Sequence, residues 1–161
     1  MVDHVDGSAK DLDDIEDRDE LRQRYYGLLQ ELRVVLPGVQ VLLAFLFTVP
    51  FAQRFSELDA LERDLYGVSM VSALLAVICL LSPTVFHRLA ERTARSIRLV
   101  WGIRMVIVGL TLVAISLTSA LWCVSRFVFG NTLAVAVTIP SVVAIIVLWI
   151  VLPLTVGRSK L

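Results

Sequence analysis

Four long runs of apolar residues, parted by short polar stretches, constrain this chain more than any other feature. Each run is far longer than a barrel strand and shows no alternation, which argues against a β-barrel. In lipid, every backbone polar group must find its partner within the segment, so such runs must be helices. They are placed at about 34–52, 65–86, 99–124 and 132–156. At ~1.5 Å per residue, the first of these matches a hydrocarbon core of about 30 Å. The 161 residues are enough for one domain, 57% of them are hydrophobic, and the mean hydropathy is +0.79. A soluble chain of this length would instead scatter its charges along amphipathic helices. The expected fold is all-α: a four-helix transmembrane bundle preceded by a cytoplasmic amphipathic helix.

Charge is distributed unevenly around a net of zero. Residues 1–17 form an acidic stretch with few apolar side chains, expected to be a disordered tail. From 18 to 33, Leu21, Tyr25, Leu28, Leu29 and Leu32 recur at helical spacing between Arg22, Arg24, Gln30, Glu31 and Arg33. That pattern reads as an amphipathic helix on the membrane surface. Pro37-Gly38 either opens the first span or kinks a helix that continues into it. Residues 157–161 are a short basic tail.

Lys and Arg set the orientation. With four spans, one side carries Lys10, Arg18, Arg22, Arg24, Arg33, Arg88, Arg92, Arg95, Arg98, Arg158 and Lys160. The other carries Arg54, Arg63 and Arg126. This asymmetry places both termini in the cytoplasm and favours an even number of spans in the plasma (cell inner) membrane. No basic region leads into a short apolar stretch at the N-terminus, so no cleavable signal is expected.

Few side chains suggest chemistry. Within the spans the strongly polar residues are Gln40 and Arg104, both about 8–10 Å from the cytoplasmic end at ~1.5 Å per residue. His87 marks the same side. Arg104 has two open readings. It snorkels to the headgroups along its stem, or it faces the interior and bonds to Gln40 or Glu31. No Asp or Glu falls in the apolar part of any span; the nearest, Glu31, Glu57 and Asp64, stand at boundaries. Proton-coupled exchange ordinarily uses a carboxylate at depth. Cys79 and Cys123 lack metal-ligand spacing and read as small buried hydrophobes. No metal, cofactor, enzymatic activity or nucleic-acid binding is expected. Ser69 with Ala73, Ser72 with Ala76, and Ser116 with Ala120 fit close helix packing, within the chain or between copies.

The stretch Glu31-Leu32-Arg33-Val34, then Pro37-Gly38-Val39-Gln40, Ala44-Phe45-Leu46 and Pro50-Phe51-Ala52-Gln53-Arg54-Phe55 resembles the first span of a known family. Its members are small uncharacterised four-pass bacterial membrane proteins, mainly actinobacterial. Pro83 followed by His87-Arg88 is similar to their exit from the second span. The resemblance covers about residues 20–130 and implies a membrane location. Some members carry a sodium:proton antiporter label. It points to Glu31, Arg33, Pro37, Gly38, Gln40, Gln53 and Arg54 as signature positions. Two functions follow as expectations. One is an accessory or structural protein that packs in the lipid bilayer with a second copy or a membrane partner. The other is a small ion or solute transporter.

Overall fold

The computed structural model describes the backbone of residues 6–89 and 95–158, and the side chains of Gln23, 26–86 and 100–156. Those residues are helical almost throughout and contain no strand. Helix α1 spans Asp6–Thr48, α2 Ala60–Leu89, α3 Arg95–Phe129, α4 Asn131–Ile146 and α5 Leu152–Arg158. Two 3₁₀ turns, Val49–Phe51 and Gln53–Glu57, join α1 to α2, and a π turn, Val147–Val151, joins α4 to α5. Four segments are long and apolar enough to cross a membrane: Tyr26–Phe51, Ala60–Phe86, Val100–Phe129 and Asn131–Val156.

Helix α1 resolves the alternative left open at Pro37-Gly38. It runs from Asp6 to Thr48 with Pro37 inside it, so the surface helix expected at 18–33 and the span expected at 34–52 form one rod. Its start lies inside the acidic stretch expected to be a disordered tail. Acidic residues suit a helix N-terminal end, where the backbone dipole favours negative charge. Residues 1–5 and 159–161 lie outside the described residues.

The interhelical seam follows a seven-residue rhythm. On α1 the buried residues are Leu32, Val39 and Leu46. On α2, Tyr66, Ser69, Ala73, Ala76, Leu80 and Pro83 are buried at alternating steps of three and four, with Glu62 and Ser72 buried beside them. On α3, Gly102, Gly109, Val113, Ser116 and Cys123 keep the same register. A 3–4 alternation keeps one stripe facing a neighbour over many turns, which is the geometry of left-handed helix pairs. Small residues dominate the α2–α3 seam. Ser69, Ala73, Ala76 and Ser116 are wholly buried. In lipid, where hydrocarbon on hydrocarbon gives no drive to associate, such residues let backbones approach and gain van der Waals contact. The Ser69 hydroxyl donates to the Ser116 carbonyl at 2.8 Å and lies 3.1 Å from its hydroxyl.

Helix α4 is set apart. It packs on α3 alone among the other spans, burying Ala134 and Thr138. The turn into it is a single residue, Gly130, shorter than the loop expected at about 125–131. Its φ of 83° and ψ of 175° fall in a region open essentially to glycine. Beyond α4, Pro153 cannot donate to the carbonyl of Trp149. The backbone widens there, and Leu152 N–H reaches Val147 O across five residues. A π turn next to a proline is a common way for a helix to absorb a missing bond.

Candidate functional site

The residues expected to carry function do not converge among the described side chains. Gln40 and Arg104 are both exposed, on α1 and α3, and neither hydrogen bonds to a described residue. The His87 side chain lies outside the described residues. Glu31, Arg33, Pro37 and Gly38 are exposed along α1, and Gln53 and Arg54 are exposed in the second 3₁₀ turn. Exposed on the helix surface and without a partner among the described residues, Arg104 is placed to reach polar surroundings along its stem. Arg104→Leu should therefore leave thermal unfolding in mild detergent unchanged or raise it slightly. A fall of several degrees would mean that the guanidinium is bonded inside an assembly.

The polar side chains that do converge lie at the end of the bundle that carries the α1–α2 connection. Asp59 caps α2. Its carboxylate accepts from Glu62 N–H at 2.8 Å, and Glu62 answers by accepting from Asp59 N–H at 3.1 Å. This reciprocal box satisfies two of the donors that every helix start leaves unpaired. Cys123 and Arg126, one turn apart on α3, face the same point. Arg126 Nη2 pairs with Asp59 at 2.7 Å, and its Nε lies 3.8 Å from Glu62. The Cys123 thiol donates to the Glu62 carbonyl at 3.3 Å. Glu62 is only 7% exposed. It lies in the polar first turn of α2, ahead of the second span's expected start at 65. The helix starts earlier than the apolar run, because the Asp59 cap fixes its first turn.

A second tie repairs the exit of α1. Pro50 has no N–H, so the carbonyl of Leu46 loses the donor that would complete the helix. Tyr66 supplies it from α2, its hydroxyl donating to Leu46 O at 2.6 Å. The ring of Phe55 meets Tyr66 edge-on, with centroids 5.2 Å apart. Tyr66→Phe keeps the shape but orphans a buried carbonyl, which costs about 1–3 kcal/mol. We expect a lower unfolding midpoint for that variant, measured in the same detergent as wild type. An unchanged midpoint would show that the carbonyl finds another donor.

Beside these ties lies an apolar groove of about 450 Å³ between α1 and α3, with Tyr66 of α2 in its wall. Leu42 and Leu46 form part of the α1 side, and Leu117, Leu121 and Phe127 part of the α3 side. Arg54 stands at its edge. Its guanidinium lies 4.7 Å from the Phe127 ring centroid, and its Nε pairs with Glu57 at 3.0 Å.

A profile for a family of unknown function matches residues 16–153, which take in the first three spans, most of the fourth, the capped ion pairs and the groove. The chain belongs to that family, DUF6328. It is a multi-pass membrane protein whose activity the family does not define. No curated protein and no solved structure matches it.

Of the signature positions, Arg54 is the one that lines the groove of this DUF6328 protein, held by Glu57 and Phe127. Asp59, Glu62, Tyr66, Cys123 and Arg126 were not anticipated as a group. One signal was available: Asp59 followed three residues later by Glu62, ahead of an apolar run, is a helix-start signature. Arg126 offered none, because a charge count places it on a side of the membrane without pairing it.

Proposed function

We propose that this protein acts by helix packing, with a second copy or with a membrane partner, as an accessory or structural component without chemistry of its own. The observation that carries this reading is the position of the fourth span. Its apolar window is only 6% buried, against 33% for α2, although it has the highest mean hydropathy of the four, 2.8. Helix α3 covers one narrow strip of it, and the rest is available to lipid or to another helix. The termini are cytoplasmic and the membrane is the plasma membrane, as the excess of Lys and Arg on their side favours. Of the first-span signature shared with small actinobacterial membrane proteins, Glu31, Arg33, Pro37, Gly38 and Gln40 are exposed on α1, where a partner can reach them.

Crosslinking from introduced cysteines on α4, followed by native mass spectrometry of full-length protein in mild detergent, tests this reading. Oligomers or a co-purifying membrane protein are expected. A strictly monomeric, partnerless protein in both experiments would remove the proposal. Ion or solute transport is the competing reading, and buried Glu62 is the one observation in its favour. The Asp59 N–H and the Arg126 guanidinium already engage that carboxylate. Sodium or proton flux in proteoliposomes, abolished by Glu62→Gln, Gln40→Ala or Arg104→Ala, would replace the packing proposal with transport.

A further inference from the structure

The groove between α1 and α3 has three properties that together define an occupant. The first is its chemistry. The polar groups in its wall are already bonded: the Tyr66 hydroxyl to Leu46 O, and the Cys123 thiol to Glu62 O. Arg54 is the charged residue of the lining. Whatever fills the groove therefore meets hydrocarbon along its length and a cation at one end.

The second is length. On α3 the lining runs from Leu117 to Phe127, about 15 Å at ~1.5 Å per residue. That is half of a hydrocarbon core of about 30 Å, the depth of one leaflet. The third is position. The Arg54 end lies among the 3₁₀ turns that close the α1–α2 connection, where an apolar span meets polar chain. The side chain is 69% exposed there, held over Phe127 by a cation–π contact. A guanidinium at the interface above a leaflet-deep apolar slot suits a phosphate above an acyl chain, and arginine's planar donors suit phosphate better than a lysine ammonium does.

We propose that this groove is a lipid site that takes one acyl chain of an anionic phospholipid from the adjoining leaflet, with the headgroup phosphate on Arg54. Glu57 competes with that phosphate for the same guanidinium, so the pair sets how tightly the headgroup is held. The site is independent of the packing proposal, which rests on α4.

The test uses full-length protein in nanodiscs of mixed phosphatidylglycerol and phosphatidylethanolamine, released into native mass spectrometry. One retained phosphatidylglycerol per chain, preferred over phosphatidylethanolamine, is the expected result. Arg54→Ala should lower that preference roughly tenfold, the loss of about one charge-assisted contact. Arg54→Lys should lower it less. Glu57→Gln should raise it, an outcome that misfolding cannot imitate. Leu117→Trp, at an exposed position of the slot, should reduce retention of both lipids while leaving the unfolding midpoint near wild type. Equal retention of the two lipids by wild type, or a preference unmoved by Arg54→Ala and Glu57→Gln, would overturn the headgroup assignment. Retention unaffected by Leu117→Trp would overturn the acyl-chain slot.

Discussion

Arg126→Met should cost about 3 kcal/mol, the largest loss expected from any polar substitution here, because it removes one partner of a largely buried ion pair and leaves the other. The Met side chain fills similar space, so the loss is electrostatic rather than steric. It falls on Glu62, whose side chain is 9% exposed and keeps only its capping bond, and less on Asp59, whose side chain is 48% exposed. The same reasoning predicts rescue. Arg126→Met combined with Glu62→Gln has no uncompensated buried charge and still allows the residue 62 side chain to accept from Asp59 N–H. The double variant should recover most of the loss, a coupling within the range of about 0.5–3 kcal/mol found for contacting residues. Unfolding midpoints of wild type, both single variants and the double variant, in one detergent at one pH, complete the cycle. A neutral Arg126→Met would mean that water or headgroups reach Glu62 and that the ion pairs hold nothing together.

That cluster also shows where sequence reading of a membrane chain stops. Hydropathy identifies the spans because lipid demands long apolar helices, and four of them form. It does not place the ends of the helices that carry them. The second span was expected to begin at Leu65, yet α2 begins at Ala60, because the Asp59–Glu62 box stabilises a polar first turn. The third was expected to stop at Val124, yet α3 continues to Phe129 and stops where Gly130 takes up a positive φ. Helix ends are set by capping chemistry, and polar residues such as Arg126 remain helical when a partner on another helix neutralises them.

The inner packing was partly legible. The four-residue pairs Ser69 with Ala73 and Ser72 with Ala76 do lie at buried positions of α2, and Ser116 is buried on α3. What the sequence did not disclose is how residues distant in the chain complete one another. Pro50 signals a freed carbonyl and Tyr66 an available hydroxyl, but nothing short of the fold joins them. Gln40 and Arg104 stood out because polar atoms are rare in these spans. Rarity says nothing about direction, and both are exposed. The side chains that gather lie instead at the end of the bundle that carries the α1–α2 connection, contributed by α2 and α3 as well as by the connection itself.

Gly109 should be hard to replace in the α2–α3 seam. A Cβ built there would lie 2.7 Å from Leu80 Cγ and 2.8 Å from its Cδ2, with Ala76 O at 3.4 Å. Two effects oppose each other in Gly109→Ala. Alanine is the better helix former by about 1 kcal/mol, whereas forcing an extra carbon into a packed interior costs about 1–3 kcal/mol. Leu80 decides which prevails. It is wholly buried, so its methyls cannot swing outward, and the helices must separate along a seam that works by closeness. Gly109→Ala should thus be destabilising despite its helix propensity, and Gly109→Leu should abolish recovery of monodisperse protein from the membrane. Leu80→Ala alone opens a cavity and costs about 2–5 kcal/mol. Combined with Gly109→Ala, the new methyl enters space that Leu80 vacated. The double variant should therefore be more stable than the sum of the single losses implies, by about 1–3 kcal/mol, the coupling seen for residues in direct contact. Additive losses would place Gly109 and Leu80 apart, and with them the α2–α3 register that brings Ser69 to Ser116.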